Sequence, residues 1–146
     1  MPSNRSLIDE MLRNTKTIAV IGMSDKPWRA SHNIGRYLAA NGYQVFPVNP
    51  VLKELVGGPC FPDLEAAQAA AIAQNGSGID MANVFRASEN VPPIVDDVIR
   101  LRIPYLWLQD DVVHDEAVAR AQAAGVKCVQ DDCILRCHGG WADLRR

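Results

Sequence analysis

The sequence has no long apolar run, no strongly basic region and no cysteine framework. Its 146 residues contain no apolar stretch near the roughly 18 residues that a membrane span needs. The N-terminal segment MPSNRSLIDEMLRNTK is also too polar for the apolar core of a signal peptide. A net charge of −2 argues against a broad nucleic-acid surface. These absences predict a protein with neither a membrane nor a nucleic-acid partner.

The four cysteines are too few for a disulfide framework, and none of them forms a C-x-x-C pair. We therefore expect reduced thiols in a cytoplasmic protein. Cys133 and Cys137 are four residues apart and share a helix face, and with Cys128 and His138 they raise the possibility of zinc. The C-x-x-C pair common among zinc ligands is missing, so no metal site is predicted. No nucleophile-elbow or H-E-x-x-H motif occurs either, and no catalytic residue is predicted.

Positive charge is concentrated at the start of the chain. Residues 1–58 hold seven Lys and Arg against four Asp and Glu, while residues 59–146 hold eight against thirteen. A locally basic first part can bind a compact anion without making the whole protein basic.

Apolar runs rich in β-branched residues alternate with helical stretches, which is typical of a parallel sheet. The predicted strands are TIAVIG (17–22), YQVFPVNP (43–50), IDMANVF (79–85), PYLWLQ (104–109) and VKCVQ (126–130), and a short extended piece opens the segment 59–76. We expect an α/β fold, a three-layer Rossmann-like parallel sheet of five to six strands in the order 3-2-1-4-5-6. Residues 1–146 would form one domain, with an N-terminal helix over about 4–14 docked on it.

The loop after the first strand carries a phosphate-binding pattern. It reads Gly22-Met23-Ser24-Asp25-Lys26-Pro27-Trp28-Arg29. Ligands of open parallel sheets bind at the carboxyl ends of the strands, where the strand order reverses. Here Gly22 permits a sharp turn, Ser24 offers a hydroxyl and an N–H, and the next helix presents free N–H groups. Lys26 and Arg29 add charge-assisted bonds. The alternative is an ordinary strand-to-helix turn with solvated basic residues.

The loop after the second strand differs from that of an NAD site. An NAD-binding domain places Asp or Glu there to hold the ribose hydroxyls. This chain has Asn49 and Pro50, with Lys53 three residues later, which favours a ribose that bears a phosphate. NADP or a 3′-phosphorylated nucleotide such as coenzyme A (CoA) would fit. Simple turn formation is the structural alternative for Asn49-Pro50.

The loops after the predicted strands 79–85 and 104–109, the fourth and fifth when the short extended piece is counted, add further candidates. Phe85 and Arg86 can flank a nucleotide, with Arg86 reaching a phosphate; alternatively Arg86 pairs with Glu89 or Asp80. Trp107 is expected in the core, whereas Gln109 is placed to hydrogen-bond a ligand amide.

Several segments, in order, resemble the small stand-alone CoA-binding domain proteins. They are AVIGMSDKPWRASHNIGRYLAANGYQVFPVNP, ELVGGPCFPDLEAA, NVFRASENVPPIV, LWLQDDVVHDEA and AGVKCVQDDC. The same fold forms the nucleotide-binding half of the succinyl-CoA synthetase alpha subunit. The resemblance implies CoA binding through the loop 22–29, through Asn49-Pro50 with Lys53, and through Phe85-Arg86. The family tends to have a glycine where this chain has Asp110-Asp111, and two carboxylates there would repel a phosphate.

The leading hypothesis is therefore a module that binds CoA or an acyl-CoA without chemistry of its own. An NADP-dependent oxidoreductase and a nucleotide-sensing regulatory subunit on the same scaffold are the alternatives. A homodimer or a larger enzyme partner is compatible with either kind of module.

Overall fold

A computed structural model describes residues 4–55 and 57–144. The helices are α1 (Asn4–Asn14), α2 (Ala30–Ala40), α3 (Leu64–Asn75), α4 (Val91–Arg100), α5 (Asp115–Ala123) and α6 (Ile134–Leu144), with a 3-10 turn at Ser88–Asn90. The strands are β1 (Thr17–Ile21), β2 (Gln44–Val48), β3 (Glu54–Leu55), β4 (Gly58–Pro59), β5 (Met81–Val84), β6 (Tyr105–Leu108) and β7 (Lys127–Val129). Within these residues, no helix is both long enough and apolar enough to cross a membrane.

Five strands form one parallel sheet in the order β2-β1-β5-β6-β7. This arrangement confirms the Rossmann-like α/β fold and the expected neighbours of the first strand. The short extended piece lies outside β2, where the predicted third strand belongs, but it pairs only through a parallel bridge between Phe61 and Val48. The preceding β3 and β4 form a separate antiparallel hairpin. Pro47 explains part of the missing strand pairing outside β2, because this residue of the edge strand has no N–H to donate to an outer neighbour.

Helices cover both faces of the sheet, which accounts for strands that are apolar at every position. All five residues of β1 are buried. Ile18 and Val20 face a core shared with α1, α2 and α6, while Ala19 and Ile21 face a core shared with α3, α4 and α5. A parallel strand that is buried on both faces has a continuous apolar sequence, as TIAVIG does.

The strand order fixes where a ligand can bind. From β1 the chain crosses through α2 to β2 on one side, and then through α3 to β5 on the other side. The carboxyl ends of β1 and β5 therefore border the crevice at which the connections diverge.

The C-terminal helix α6 is held to α2 by a buried histidine. The side chain of His138 is 5% exposed, and its Nδ1 lies 2.8 Å from the hydroxyl of Tyr37. Tyr43 and Trp141 also place their rings against it. Burial lowers the pKa of His138 below its usual value.

This burial predicts acid sensitivity. The unfolded chain, with an ordinary histidine pKa of about 6.5, binds the proton more readily than the folded chain does. The free energy of unfolding should therefore decrease as the pH falls below about 6.5. Urea unfolding at pH 7 and pH 5 should show a smaller loss for His138→Phe than for the wild type. Tyr37→Phe keeps the buried imidazole of His138, so its free energy of unfolding should depend on pH as that of the wild type does. If His138→Phe lost as much stability between pH 7 and pH 5 as the wild type, His138 would not be the source of the acid sensitivity.

Candidate functional site

Gly22 brings the ends of three strands together. Its N–H donates to the carbonyl of Val48 at 2.8 Å, and the N–H of Phe85 donates to the carbonyl of Ile21 at 2.9 Å. Gly22 has φ +86°, and a Cβ at this position would lie 2.6 Å from the carbonyl oxygen of Phe85. Both the backbone conformation and the space therefore require glycine.

Hydrogen bonds inside the following loop fix its shape. The N–H of Ser24 donates to Oγ of Ser31 at 3.0 Å, and Oγ of Ser24 accepts from the N–H of Lys26 at 3.1 Å. His32 donates from Nδ1 to the carbonyl of Ser24 at 2.9 Å. The N–H of Ser24, expected to be free for a phosphate, is thus engaged, and only its hydroxyl proton remains available.

Ser31 and His32 are support residues that the sequence reasoning did not assign to the loop. Both are buried, at 7% exposure each, in the first turn of α2. Met23, which the sequence placed in the site, is likewise 2% exposed. A Cβ on Gly35 would lie 2.4 Å from the terminal carbon of Met23, so this side chain packs on α2 and only its backbone faces the loop.

The amino terminus of α2 lies at the end of this loop and has no side-chain cap. The helix begins at Ala30, and its N-cap residue Arg29 makes no capping hydrogen bond with its side chain. Free N–H groups and the positive end of the helix dipole attract anions. The side chains of Lys26 and Arg29 are exposed beside it, and the Lys26 ammonium lies 5.6 Å from the ring centroid of Trp28.

Asn49 joins the second loop to the first. Its Nδ2 donates to the carbonyl of Met23 at 3.1 Å, and its Oδ1 accepts from the N–H of Val51 at 3.0 Å. The amide therefore builds the turn, which was the structural alternative, and retains one N–H and one lone pair for a ligand. Pro50 and Lys53 follow with exposed side chains.

Phe85 and Arg86 continue from β5 beside Gly22. Phe85 is half-buried against the core of α2 and α6, while Arg86 is exposed, with its Cδ 3.1 Å from the position of a Cβ on Gly22. The suggested pairing with Asp80 is wrong, because that carboxylate accepts from the N–H groups of Lys16 and Thr17 at the opposite end of the sheet. Among the residues that the structure describes, no ion pair involves Arg86, and Glu89 is therefore not its partner.

A cavity of about 280 Å³ opens between these loops on the side of α3 and α4. Ile21, Val48, Pro50 and Ile94 give it apolar walls, and Gly22 and Arg86 also line it. Two carboxylates lie at its boundary, but each already has a partner. Asp63 accepts from the N–H of Ala66 at 2.8 Å, and Asp97 pairs with Arg100 at 3.1 Å.

Gln109 lies behind the site. It is 4% exposed, and its Oε1 accepts from Nδ2 of Asn83 at 3.2 Å and from the N–H of Ile134 at 3.0 Å. This side chain therefore supports the start of α6, which leaves only its amide N–H groups for any ligand contact. Trp107 is fully buried, as predicted.

The two aspartates that replace the usual glycine do not form a free acidic pair. Arg136 on α6 contacts both carboxylate oxygens of Asp110, at 2.8 and 2.9 Å, and its guanidinium lowers the pKa of Asp110. Asp111 adopts φ +66°, and its N–H donates to Oδ1 of Asp131 at 2.8 Å. The charge of Asp110 is thus compensated locally, so repulsion of a phosphate is weaker than the sequence suggested.

The cysteines are free thiols away from this edge or within the core. Burial raises the pKa of Cys128 to about 12 and that of Cys137 to about 12. Within residues 4–55 and 57–144, no three His, Cys, Asp or Glu side chains are grouped to hold a metal ion. His138 faces Tyr37 and the neighbouring aromatic rings.

Residues 16–139 match the model of a family described as the CoA binding domain. The chain belongs to the CoA-binding domain family. The match contains every loop described above, from the end of α1 to the middle of α6.

Relatives of the domain occur both alone and within larger enzymes. This chain is 32% identical over 135 residues to the uncharacterized protein YneT of Bacillus subtilis, and the match covers 92% of this chain and 94% of YneT. A solved structure of a hypothetical protein from Pyrococcus horikoshii OT3 superposes with a TM-score of 0.82 at 28% identity, covering 94% and 92% of the two chains. An ADP-forming acetate–CoA ligase of Archaeoglobus fulgidus is 27% identical, covering 86% of this chain and only 18% of the ligase.

The approach of the strands at Gly22 gives a direct prediction. Gly22→Ala should lower the free energy of unfolding by more than the about 1–2 kcal/mol that a left-handed backbone costs an ordinary residue, because its Cβ also collides with Phe85. Gly42→Ala is the matched control, since Gly42 has φ +94° and a Cβ there meets nothing within 4 Å. Urea unfolding of both variants measures the difference. Equal losses would show that space at Gly22 is not limiting.

Proposed function

We propose that this protein binds CoA or an acyl-CoA at the carboxyl edge of β1, β2 and β5, and that it performs no chemistry on the ligand. The observation that carries the proposal is the uncapped start of α2 with exposed, unpaired cations around it. Among the described residues, no ion pair involves Lys26, Arg29, Lys53 or Arg86. Membership of the CoA-binding domain family supports the choice of ligand.

The diphosphate is the part of CoA that suits the first loop. Helix N–H groups and exposed cations bind phosphate oxygens through charge-assisted hydrogen bonds. Gly22 lets the backbone approach the ligand closely, and Lys26 and Arg29 add charge on the solvent side. The hydroxyl of Ser24 supplies one further donor.

The 3′-phosphate distinguishes CoA from NAD and suits the second loop. Asn49 stands where an NAD site has a carboxylate, and Lys53, which is exposed and follows the turn at Asn49-Pro50, offers an ammonium nearby. A carboxylate there would repel a phosphorylated ribose, and the neutral Asn49 does not. Arg86 offers a second cation from the neighbouring loop.

The apolar cavity suits the adenine ring. A volume of about 280 Å³ between aliphatic walls can enclose a purine, and Gly22 and Arg86 connect the cavity to the phosphate-binding loop. Adenine, ribose and diphosphate would then follow a continuous path from the cavity to the start of α2.

The proposal that the protein binds its ligand without catalysis rests on its sequence motifs and on its cysteine side chains. No nucleophile-elbow or metalloprotease motif occurs, and burial raises the pKa of Cys60, Cys128 and Cys137. The four free cysteines suit a cytoplasmic location, which belongs to the proposal. An NADP-dependent reaction and a regulatory role on a larger enzyme remain the competing functions, and the ligand preference separates the first of them.

Lys53→Ala tests the ligand and its orientation together. CoA should raise the Tm of the wild-type protein, because a ligand that binds only the folded state stabilises it. Loss of an exposed charge pair worth about 1 kcal/mol should weaken CoA about fivefold in Lys53→Ala, measured by calorimetric titration. Dephospho-CoA, which lacks the 3′-phosphate, should bind both proteins equally.

Lys16→Ala is the matched control, because Lys16 lies at the opposite end of the sheet beside Asp80. If millimolar CoA left the Tm of the wild-type protein unchanged, or if the protein bound NADP more tightly than CoA in a parallel titration, the proposed function would be contradicted. A normal CoA affinity with no effect of Lys53→Ala would contradict only the position of the 3′-phosphate.

A further inference from the structure

Exposed apolar side chains collect around the carboxyl edge of the sheet. Four large apolar residues are strongly exposed among those that the structure describes. Trp28 at 74%, Val51 at 84% and Val113 at 40% follow β1, β2 and β6, and only Ile72 lies elsewhere, on α3. Of these, Trp28 has the largest side chain, and an exposed indole at the edge of a proposed binding site is available for contact with the ligand.

Trp28 is held in place on an ordered turn. The N–H of Arg29 donates to the carbonyl of Lys26 at 3.0 Å, and Nδ2 of Asn33 donates to the carbonyl of Pro27 at 3.0 Å. The ammonium of Lys26 lies against the indole ring, 5.6 Å from its centroid. The backbone of Trp28 is thus held one residue before the cap of α2, and its exposed indole presents a large apolar surface beside the start of that helix.

Provided that the proposed function holds, the covalent structure of CoA indicates which part of the ligand lies against the indole of Trp28. The adenine, ribose and 3′-phosphate occupy the cavity and the side of Lys53, so the chain beyond the diphosphate leaves past the start of α2. The first unit of that chain is the pantoyl group, whose two methyl groups on one carbon form its branched apolar part. We infer that Trp28 packs against the pantoyl group and gives the site its preference for CoA over 3′,5′-ADP.

Calorimetric titration of CoA and 3′,5′-ADP into the wild type and Trp28→Ala tests this inference. Loss of the apolar contact with two methyl groups should weaken CoA about tenfold, while the affinity for 3′,5′-ADP changes less than twofold. Trp28→Phe keeps a ring and should keep most of the preference. Lys26→Ala should weaken both ligands together, because its ammonium acts on phosphate.

The outcomes separate the inference from the proposed function. If wild-type protein binds CoA but Trp28→Ala weakens both ligands equally, or neither, Trp28 does not recognise the pantoyl group. If the wild type binds neither ligand, the proposed function itself fails. Since Trp28 is exposed, an unchanged circular dichroism spectrum and Tm of Trp28→Ala without ligand should accompany the expected result.

A second readout comes from fluorescence. Trp107 is fully buried and Trp141 is half-buried, so Trp28 is the most solvent-exposed of the three indoles. CoA should shift the emission of the wild type to shorter wavelength, and the shift should be absent in Trp28→Phe. A shift that persists in Trp28→Phe would contradict the contact.

Discussion

The close backbone approach at Gly22 is the constraint on which the site depends. The N–H of Gly22 bonds to Val48, the carbonyl of Ile21 accepts from Phe85, and the carbonyl of Phe85 occupies the space that a side chain on Gly22 would need. The ends of β1, β2 and β5 are thereby joined through main-chain atoms alone. Because these strand ends meet at Gly22, the loops that follow the three strands converge on one place.

The pairing of surface cations differs between the ends of β1, β2 and β5 and other parts of the surface. Away from this edge, Arg13, Arg120 and Lys127 each pair with a carboxylate. At the edge, the structure shows no such pairing for Lys26, Arg29, Lys53 and Arg86, and the start of α2 has no side-chain cap. Unpaired cations repel one another and gain most from a multivalent anion, so the edge is suited to a ligand with several phosphates. The proposed CoA site follows from this concentration of uncompensated charge beside a small apolar cavity.

Residue patterns predicted the fold better than the roles of individual polar side chains. Continuous β-branched runs reveal strands buried on both faces, and the order of the connections then determines the crevice. The sequence could not show that the amide of Asn49 holds Met23, that Ser31 occupies the N–H of Ser24, or that Gln109 supports α6. Short polar side chains at strand ends bond equally well to a ligand or to nearby backbone, and only the path of the chain decides between them. Arg136 compensates Asp110 from a helix 26 residues further along the chain, a contact that no local pattern encodes.

Backbone amide NMR during a CoA titration tests the central claim most directly, because it reports every loop of the edge at once. The account predicts the largest shift changes in the amides of residues 22–33, 49–53 and 85–86, with small changes along α1 and the C-terminal half of α6. Saturable changes confined to α1 and the C-terminal half of α6, or none at the loop that begins with Gly22, would contradict it.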